Sequence, residues 1–371
     1  MTDRLDLVTG ATGFSASHVI AELLAAGHRV VATDRAEALR DRRERLGWAG
    51  VDPADPRLEL VPADLLEPAS LDALFTRPIT HVFHTASLYD YSAPLERLMR
   101  INVDGTANLL ARAAPAGIAR FVHWSTCGVF GKPYTAADGP RRNVPFDESC
   151  SSPKTAPPDA TGPAGTHLVN DYARSKWVQE QRVWEASRRH GLPVTVIRPA
   201  PIYGPGGDYG HGGIILAVAR GYVPLIPADA RNAITTSVHV RDLARFATFV
   251  AERDDTVGED YDVVDDSIIS YHEFLHYIAL LCGRRIVDVP LLPLSAVRRV
   301  AVPLALAWTF LERRLDIPRL RVLEVQSAAY IGSSYWLANG KSKRTGFEYR
   351  CPDVRAGLRE TVAWFRDAGW I

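Results

Sequence analysis

The chain is short of cysteine and has no surplus of either charge. Its four cysteines, Cys127, Cys150, Cys282 and Cys351, stand far apart. None has a neighbour at metal-ligand spacing and no disulfide framework can be read from them, so no metal site is expected and a reduced, cytoplasmic compartment is the simplest reading. Lysine plus arginine equals aspartate plus glutamate, 43 each, which excludes the basic stripe of a nucleic-acid binder. The start, MTDRLDLVTG, lacks the apolar stretch of a signal peptide and is already strand-like at Leu5. Nowhere do about 20 apolar residues follow one another, the length that spans a bilayer. The greasiest run, Val300 to Leu311, lies between Arg298-Arg299 and Arg313-Arg314. It reads as a buried helix of a second unit or as a surface helix that touches a membrane or collects a greasy substrate.

What remains is ordinary for a large globular chain. Hydrophobic residues make up 47% and charged residues 23% of 371, enough for a sizeable core and two structural units. Short apolar segments at Leu5–Val8, Arg29–Thr33, Leu58–Val61, Thr80–His84, Arg120–Trp124 and Val194–Ile197 alternate with helical patterns, notably Ala16–Ala26, Val103–Ala114 and Asn170–Arg189. That alternation predicts an α/β fold, a doubly wound parallel sheet covered on both faces. Residues 138–165, rich in Pro, Ser, Thr and Gly, interrupt it and read as a long surface excursion. After Arg198 the character changes. The expected division is a dinucleotide-binding unit over 1–198, with 234–265 returning to it, and a smaller, mainly helical substrate-binding portion over 199–233 and 266–371.

The first strand runs into TGATGFSASHV, with Gly10 and Gly13 at the strand-to-helix turn and Ala16 at the third small position. Glycine permits the tight turn and lets backbone approach a pyrophosphate, whose charge the helix N-terminus favours. Thr12 and Phe14 belong to the same turn. Asp34 ends the second strand, where a carboxylate accepts the adenosine ribose hydroxyls and repels a 2′-phosphate. This favours NAD; Arg35 beside it leaves NADP open. Asp64 and Leu65 are placed to meet the adenine edge, although Asp64 also suits a helix cap. Thr85, Ala86 and Ser87 end the fourth strand, where small residues let a cofactor lie close.

Tyr172 and Lys176 are four apart, on one face of a helix. A phenol ionises near pH 10 and is a poor base at neutrality. A nearby ammonium favours the phenolate, which makes the pair suitable for acid–base chemistry at a hydroxyl or carbonyl. Thr126, preferred over Ser125, ends the fifth strand and offers a hydroxyl to an oxygen gaining alkoxide character.

TGATGFSA, the Asn102-Val103-x-Gly105-Thr106-x-Asn108 segment, WSTCGVFG, YARSK, RPAPIYGPG and VHVRDLA occur in the order found in the extended short-chain dehydrogenase/reductase family, which nearly the whole chain resembles. The resemblance implies Tyr172 as acid/base, Lys176 as its partner, Thr126 as the catalytic hydroxyl and Asn102 as a further catalytic residue in the helix near the active site. It also implies that Pro199 to Ile202 line the nicotinamide carboxamide and that the protein is a homodimer. Ala16 replaces the usual third glycine, and the interval between Thr126 and Tyr172 is longer than the family norm. The nucleotide-sugar branch carries an Arg-Asp pair just before the VHVRDLA segment; here Thr235-Thr236-Ser237 stand instead. With the apolar 289–311 region and the KSKRTGFEYR tail, the chain looks like the 3β-hydroxysteroid dehydrogenase branch, which predicts that Ser342 to Phe347 pack on the sheet. The expected substrate is a small hydrophobic, steroid-like alcohol or ketone. The alternatives are a nucleotide-sugar epimerase or dehydratase and a non-catalytic redox sensor.

Overall fold

The structure is a computed structural model and describes residues 4–135, 144–150, 152–157, 160–163, 168–315 and 333–371. Its principal elements, in chain order, are β1 (Leu5–Thr9), α1 (Phe14–Ala25), β2 (Arg29–Asp34), β3 (Leu58–Pro62), α2 (Pro68–Leu74), β4 (His81–His84), α3 (Gly105–Ala113), β5 (Arg120–Trp124), α4 (Asp171–His190), β6 (Val194–Pro199), α5 (His211–Ala219), α6 (Val240–Ala251), β7 (Asp260–Val263), α7 (Tyr271–Leu281), β8 (Val287–Val289), α8 (Leu294–Leu315) and α9 (Val354–Asp367).

Seven strands form one parallel sheet in the order β7-β6-β5-β4-β1-β2-β3. The order reverses between β1 and β4, so the chain leaves the sheet on both sides of a crevice at the strands' carboxyl ends. Strand side chains alternate between two cores. Leu7 joins Leu71, Leu109 and Val183 on one face, whereas Val8 joins Val19, Ile20 and Phe246 on the other. Burial on both faces explains why these strands read as apolar runs rather than as alternating patterns.

The helix at Asn170–Arg189 is observed as α4, capped by the Asn170 side chain, which accepts from the Ala173 amide at 2.8 Å. The expected helix at Val103 begins earlier: a π-helical stretch, Met99–Asp104, precedes α3. The predicted surface excursion over 138–165 falls partly outside the described residues. What is described of it departs from that expectation, because it packs inward. The Phe146 ring stacks on Phe130 at 5.5 Å, Phe146 bridges to Leu337, and buried Ser152 accepts a 2.8 Å hydrogen bond from Arg198. Polar composition hid this, since the contacts are made by scattered single residues, Phe146, Glu148, Ser152 and Lys154 among them.

A third core gathers α5, α7 and α9 around Phe274, Ile278, Leu358 and Phe365. Part of the C-terminal portion returns to the sheet: Tyr335, Leu337 and Phe347 lie in the α1–α6 core. Ser342 is fully buried, and Phe347 meets Phe246 edge-on at 5.1 Å, as the tail motif predicts. The Val300–Leu311 run lies within α8, which is longer than expected, contains Pro303 and is not fully buried. Val300, Leu304, Leu306 and Phe310 are each more than half exposed. Among the described residues no helix is long and apolar enough to cross a membrane.

Candidate active site

The glycine turn is built as its sequence demands. Gly10 adopts a φ of 74°, and a Cβ there would stand 3.0 Å from the Ala86 backbone. The Gly13 amide donates to the Gly10 carbonyl at 2.8 Å. Gly13 is the N-cap of α1 and, among the described residues, no side chain caps the helix, which leaves amides of its first turn for an acceptor in the crevice. Such a terminus suits a pyrophosphate. Asp34 lies beside it. Its Oδ2 accepts from the Thr12 amide at 3.1 Å and the Thr12 hydroxyl at 2.8 Å, and its Oδ1 accepts from the Arg35 amide at 2.9 Å. These bonds fix the carboxylate and leave lone pairs for further donors. These residues fit a dinucleotide. Asp64 serves a local turn, its Oδ1 accepting from the Leu66 amide at 2.8 Å, and the Leu65 carbonyl accepts from Asn108 at 2.9 Å.

At the end of β4, Thr85 donates to the Thr9 carbonyl at 2.7 Å and the Ala86 amide donates to the Thr9 hydroxyl at 3.2 Å. Ser87 lies one step further, where Lys176 Nζ reaches its hydroxyl at 2.9 Å. The same ammonium donates to the Trp124 carbonyl at 2.6 Å. Lys176 therefore ties the ends of β4 and β5 to α4. Its burial pulls its pKa down to about 7, opposed by the negative charge of Glu180 one helical turn away.

Glu180 is itself fully buried. It accepts from the Ser125 hydroxyl, from Trp184 Nε1 at 2.9 Å and from Arg198 Nη2 at 2.6 Å and Nε at 3.1 Å. Arg198 also faces Asp260 at 2.7 Å, and its charge helps hold that carboxyl below the usual range against the effect of burial. Ser125 is thereby spent on the scaffold. Thr126 is only partly buried; its oxygen accepts the Gly128 amide at 3.2 Å, and its hydroxyl also meets the Cys127 thiol. The preference for Thr126 over Ser125 thus acquires a structural reason. Asn102 is fully buried in the π-helical turn. Its Oδ1 accepts from the Leu88 amide at 2.6 Å and its Nδ2 donates to Ser175 Oγ at 3.0 Å. It braces the loop after β4 against α4.

Tyr172 is half-buried, and two further tyrosines pack against it. Tyr89 and Tyr91 approach with ring centroids at 5.0 and 5.6 Å. Tyr209 closes the group against Tyr89 at 4.8 Å and Tyr91 at 5.9 Å. The Tyr89 and Tyr91 hydroxyls are 3.2 Å apart. Sequence reasoning missed these three. The only signal was the aromatic content of SLYDYS and GGDYGH, which has no fixed spacing to Tyr172. Pro199 ends β6 and Ile202 begins the following short strand, Ile202–Tyr203, both near the carboxyl edge of the sheet.

The model of the NAD dependent epimerase/dehydratase family matches residues 7–263, more than half of the chain. The chain belongs to that family. It is 32% identical over 256 residues to cinnamoyl-CoA reductase 1 of Oryza sativa subsp. japonica, covering 69% of this chain and 70% of the relative. A 3 beta-hydroxysteroid dehydrogenase/Delta 5-->4-isomerase of Mycobacterium tuberculosis is 27% identical over 290 residues, 75% of this chain and 70% of the relative. Sterol demethylase protein B of Methylococcus capsulatus is 29% identical over 374 residues, 98% of this chain and 99% of the relative. This epimerase/dehydratase family member is an NAD(P)-dependent enzyme of the extended short-chain dehydrogenase/reductase type.

Proposed function

We propose that the protein interconverts a secondary alcohol and a ketone on a hydrophobic, ring-bearing substrate of steroid-like shape, using NAD in preference to NADP. The observation that carries this reading is the collar of Tyr89, Tyr91 and Tyr209 around Tyr172. Tyrosine rings offer broad apolar faces with polar tips, which suit a flat alicyclic or aromatic skeleton bearing one oxygen. At the position where the sugar branch carries its Arg-Asp pair, the side chains here are turned inward. Thr235, Thr236 and Ser237 are buried, Thr236 donates to the Tyr335 carbonyl at 2.5 Å, and Ser237 pairs with His211 at 3.1 Å. None of the three is a cation for a diphosphate. The names of two relatives refer to a hydroxysteroid and to a sterol, in accord with this reading.

A nicotinamide bound at the crevice supplies the hydride acceptor or donor. In the oxidative direction Tyr172, as phenolate, takes the hydroxyl proton while Thr126 donates to the substrate oxygen. Lys176 favours the phenolate while charged and offers a donor to the nicotinamide ribose. Asn102, through Ser175, holds the start of α4 in register with the loop after β4. Asp34 accepts from the ribose hydroxyls and opposes a 2′-phosphate.

A panel of 3-hydroxysteroids, smaller cyclic alcohols and uridine diphosphate sugars, incubated with NAD, tests the substrate assignment. Net NADH formation is expected with the hydroxysteroids, falling with ring number. Inversion of a sugar nucleotide without net NADH would overturn it. Tight NAD binding without turnover of any alcohol would favour the redox sensor.

A further inference from the structure

Away from the crevice, two histidines and a carboxylate converge in the C-terminal lobe. Helix α7 opens with a full capping box: Ser270 accepts from the Glu273 amide, and Glu273 accepts from the Ser270 amide. That fixed start places His272 and His276 one turn apart on one face, with ring centroids 4.2 Å from each other. Asp288 comes from β8, held by its parallel pairing with the short strand Leu225–Pro227. Both His272 Nε2 and His276 Nε2 stand 2.9 Å from the same oxygen, Asp288 Oδ1. The other oxygen, Oδ2, accepts from Arg231 at 2.5 Å, and Arg231 Nη2 is also 3.4 Å from His272 Nε2.

We propose that His272, His276 and Asp288 form a binding site for a borderline divalent transition-metal ion such as Zn2+ or Ni2+, which clamps α7 to β8. Two imidazoles and one carboxylate are the donor types that such ions take. Ligands at right angles around an ion such as Ni2+, on bonds of about 2.05 Å, stand about 2.9 Å apart, and tetrahedral ligands around Zn2+ stand about 3.3 Å apart. The two observed imidazole–carboxylate separations are 2.9 Å, equal to the first value and within about 0.4 Å of the second, so an ion replaces the shared protons with a small movement. The three ligand atoms all lie within 4.8 Å of one another. Arg231 on the second carboxylate oxygen leaves Oδ1 to the ion and acts as the outer partner that orients a ligating carboxylate. The side chains are 14%, 35% and 30% exposed for His272, His276 and Asp288, which gives an ion a path in and leaves room for water as further ligands. A second group of ligand type, His239, Cys351 and Glu360, is less suited, because His239 is buried away from solvent and burial pushes the Cys351 thiol up to about 11.

The test uses the full chain freed of any purification tag, stripped with a chelator and titrated with Zn2+ or Ni2+ by calorimetry. One ion per chain is expected, with a rise in Tm on binding. His276→Ala and His276→Gln should each weaken binding by at least about tenfold and abolish the rise in Tm. NADH binding and circular dichroism of the metal-free variants should match the parent, which separates loss of the site from loss of the fold. Asp288→Asn should weaken binding similarly. Wild-type affinity in the His276 variants, or no uptake of either ion by the parent chain, would overturn the proposal.

Discussion

The two sides of the crevice at Tyr172 are made in different ways. On the cofactor side, position is set by backbone: the Gly10 turn, the uncapped start of α1 and a carboxylate pinned by Thr12. On the substrate side, position is set by side chains from separate loops, Tyr89 and Tyr91 after β4 and Tyr209 after β6. Between them runs α4, anchored by a buried ionic group, Glu180 with Arg198 and Asp260. A backbone-built half tolerates little change and leaves a sequence signature. A side-chain-built half can be exchanged one residue at a time, as suits the part that selects the substrate.

The anchor between the halves should show the largest effect. Glu180→Gln removes one partner of a fully buried pair, a change that costs roughly 3–5 kcal/mol. Thermal unfolding should show a Tm lower by several degrees. Because the Glu180 charge raises the pKa of Lys176, the variant should also lose the Lys176 proton at lower pH than the parent. An unchanged Tm would mean that α4 is not held through this group. On the cofactor side, Asp34→Asn should shift the NAD-to-NADP preference toward NADP by about tenfold, equivalent to about 1.4 kcal/mol, read from the ratio of kcat/KM values. No shift would give the discrimination to another group, Arg35 first. The smallest change belongs to the substrate side. Tyr89→Ala should raise KM for a ring-bearing alcohol roughly two- to tenfold, the worth of an aromatic contact of about 0.5–1.5 kcal/mol. Its NADH affinity should stay unchanged. Equal losses in substrate and cofactor binding would dissolve the division between the two sides.

The same division explains what was legible in the sequence. The parallel sheet could be read because its strands, buried on both faces, are short apolar runs separated by helices. Gly10, Gly13 and Asp34 could be read because a strand-to-helix turn at a phosphate needs those residue types at fixed intervals. Tyr172 and Lys176 share a helix, so their geometry followed from spacing. Thr126 was preferred over Ser125 from the sequence, but what Ser125 does instead, donating to Glu180, was not legible there. Asn102 was legible as a site residue, and its bonds to the Leu88 amide and Ser175 were not. Tyr89, Tyr91 and Tyr209 were not legible, because they meet through loops more than 100 residues apart in the chain. The inward packing of Phe146 and Ser152 was hidden for the same reason: single residues in a polar stretch carry no period.

The most direct test of Tyr172 as the acid/base compares Tyr172→Phe with the parent chain, measuring kcat and NADH affinity together. The phenyl ring keeps the tyrosine collar filled and removes only the hydroxyl. A fall in kcat of about 10²–10⁴-fold is expected, the usual worth of acid–base catalysis, with NADH affinity within about twofold of the parent. Retention of parental kcat in Tyr172→Phe would contradict it.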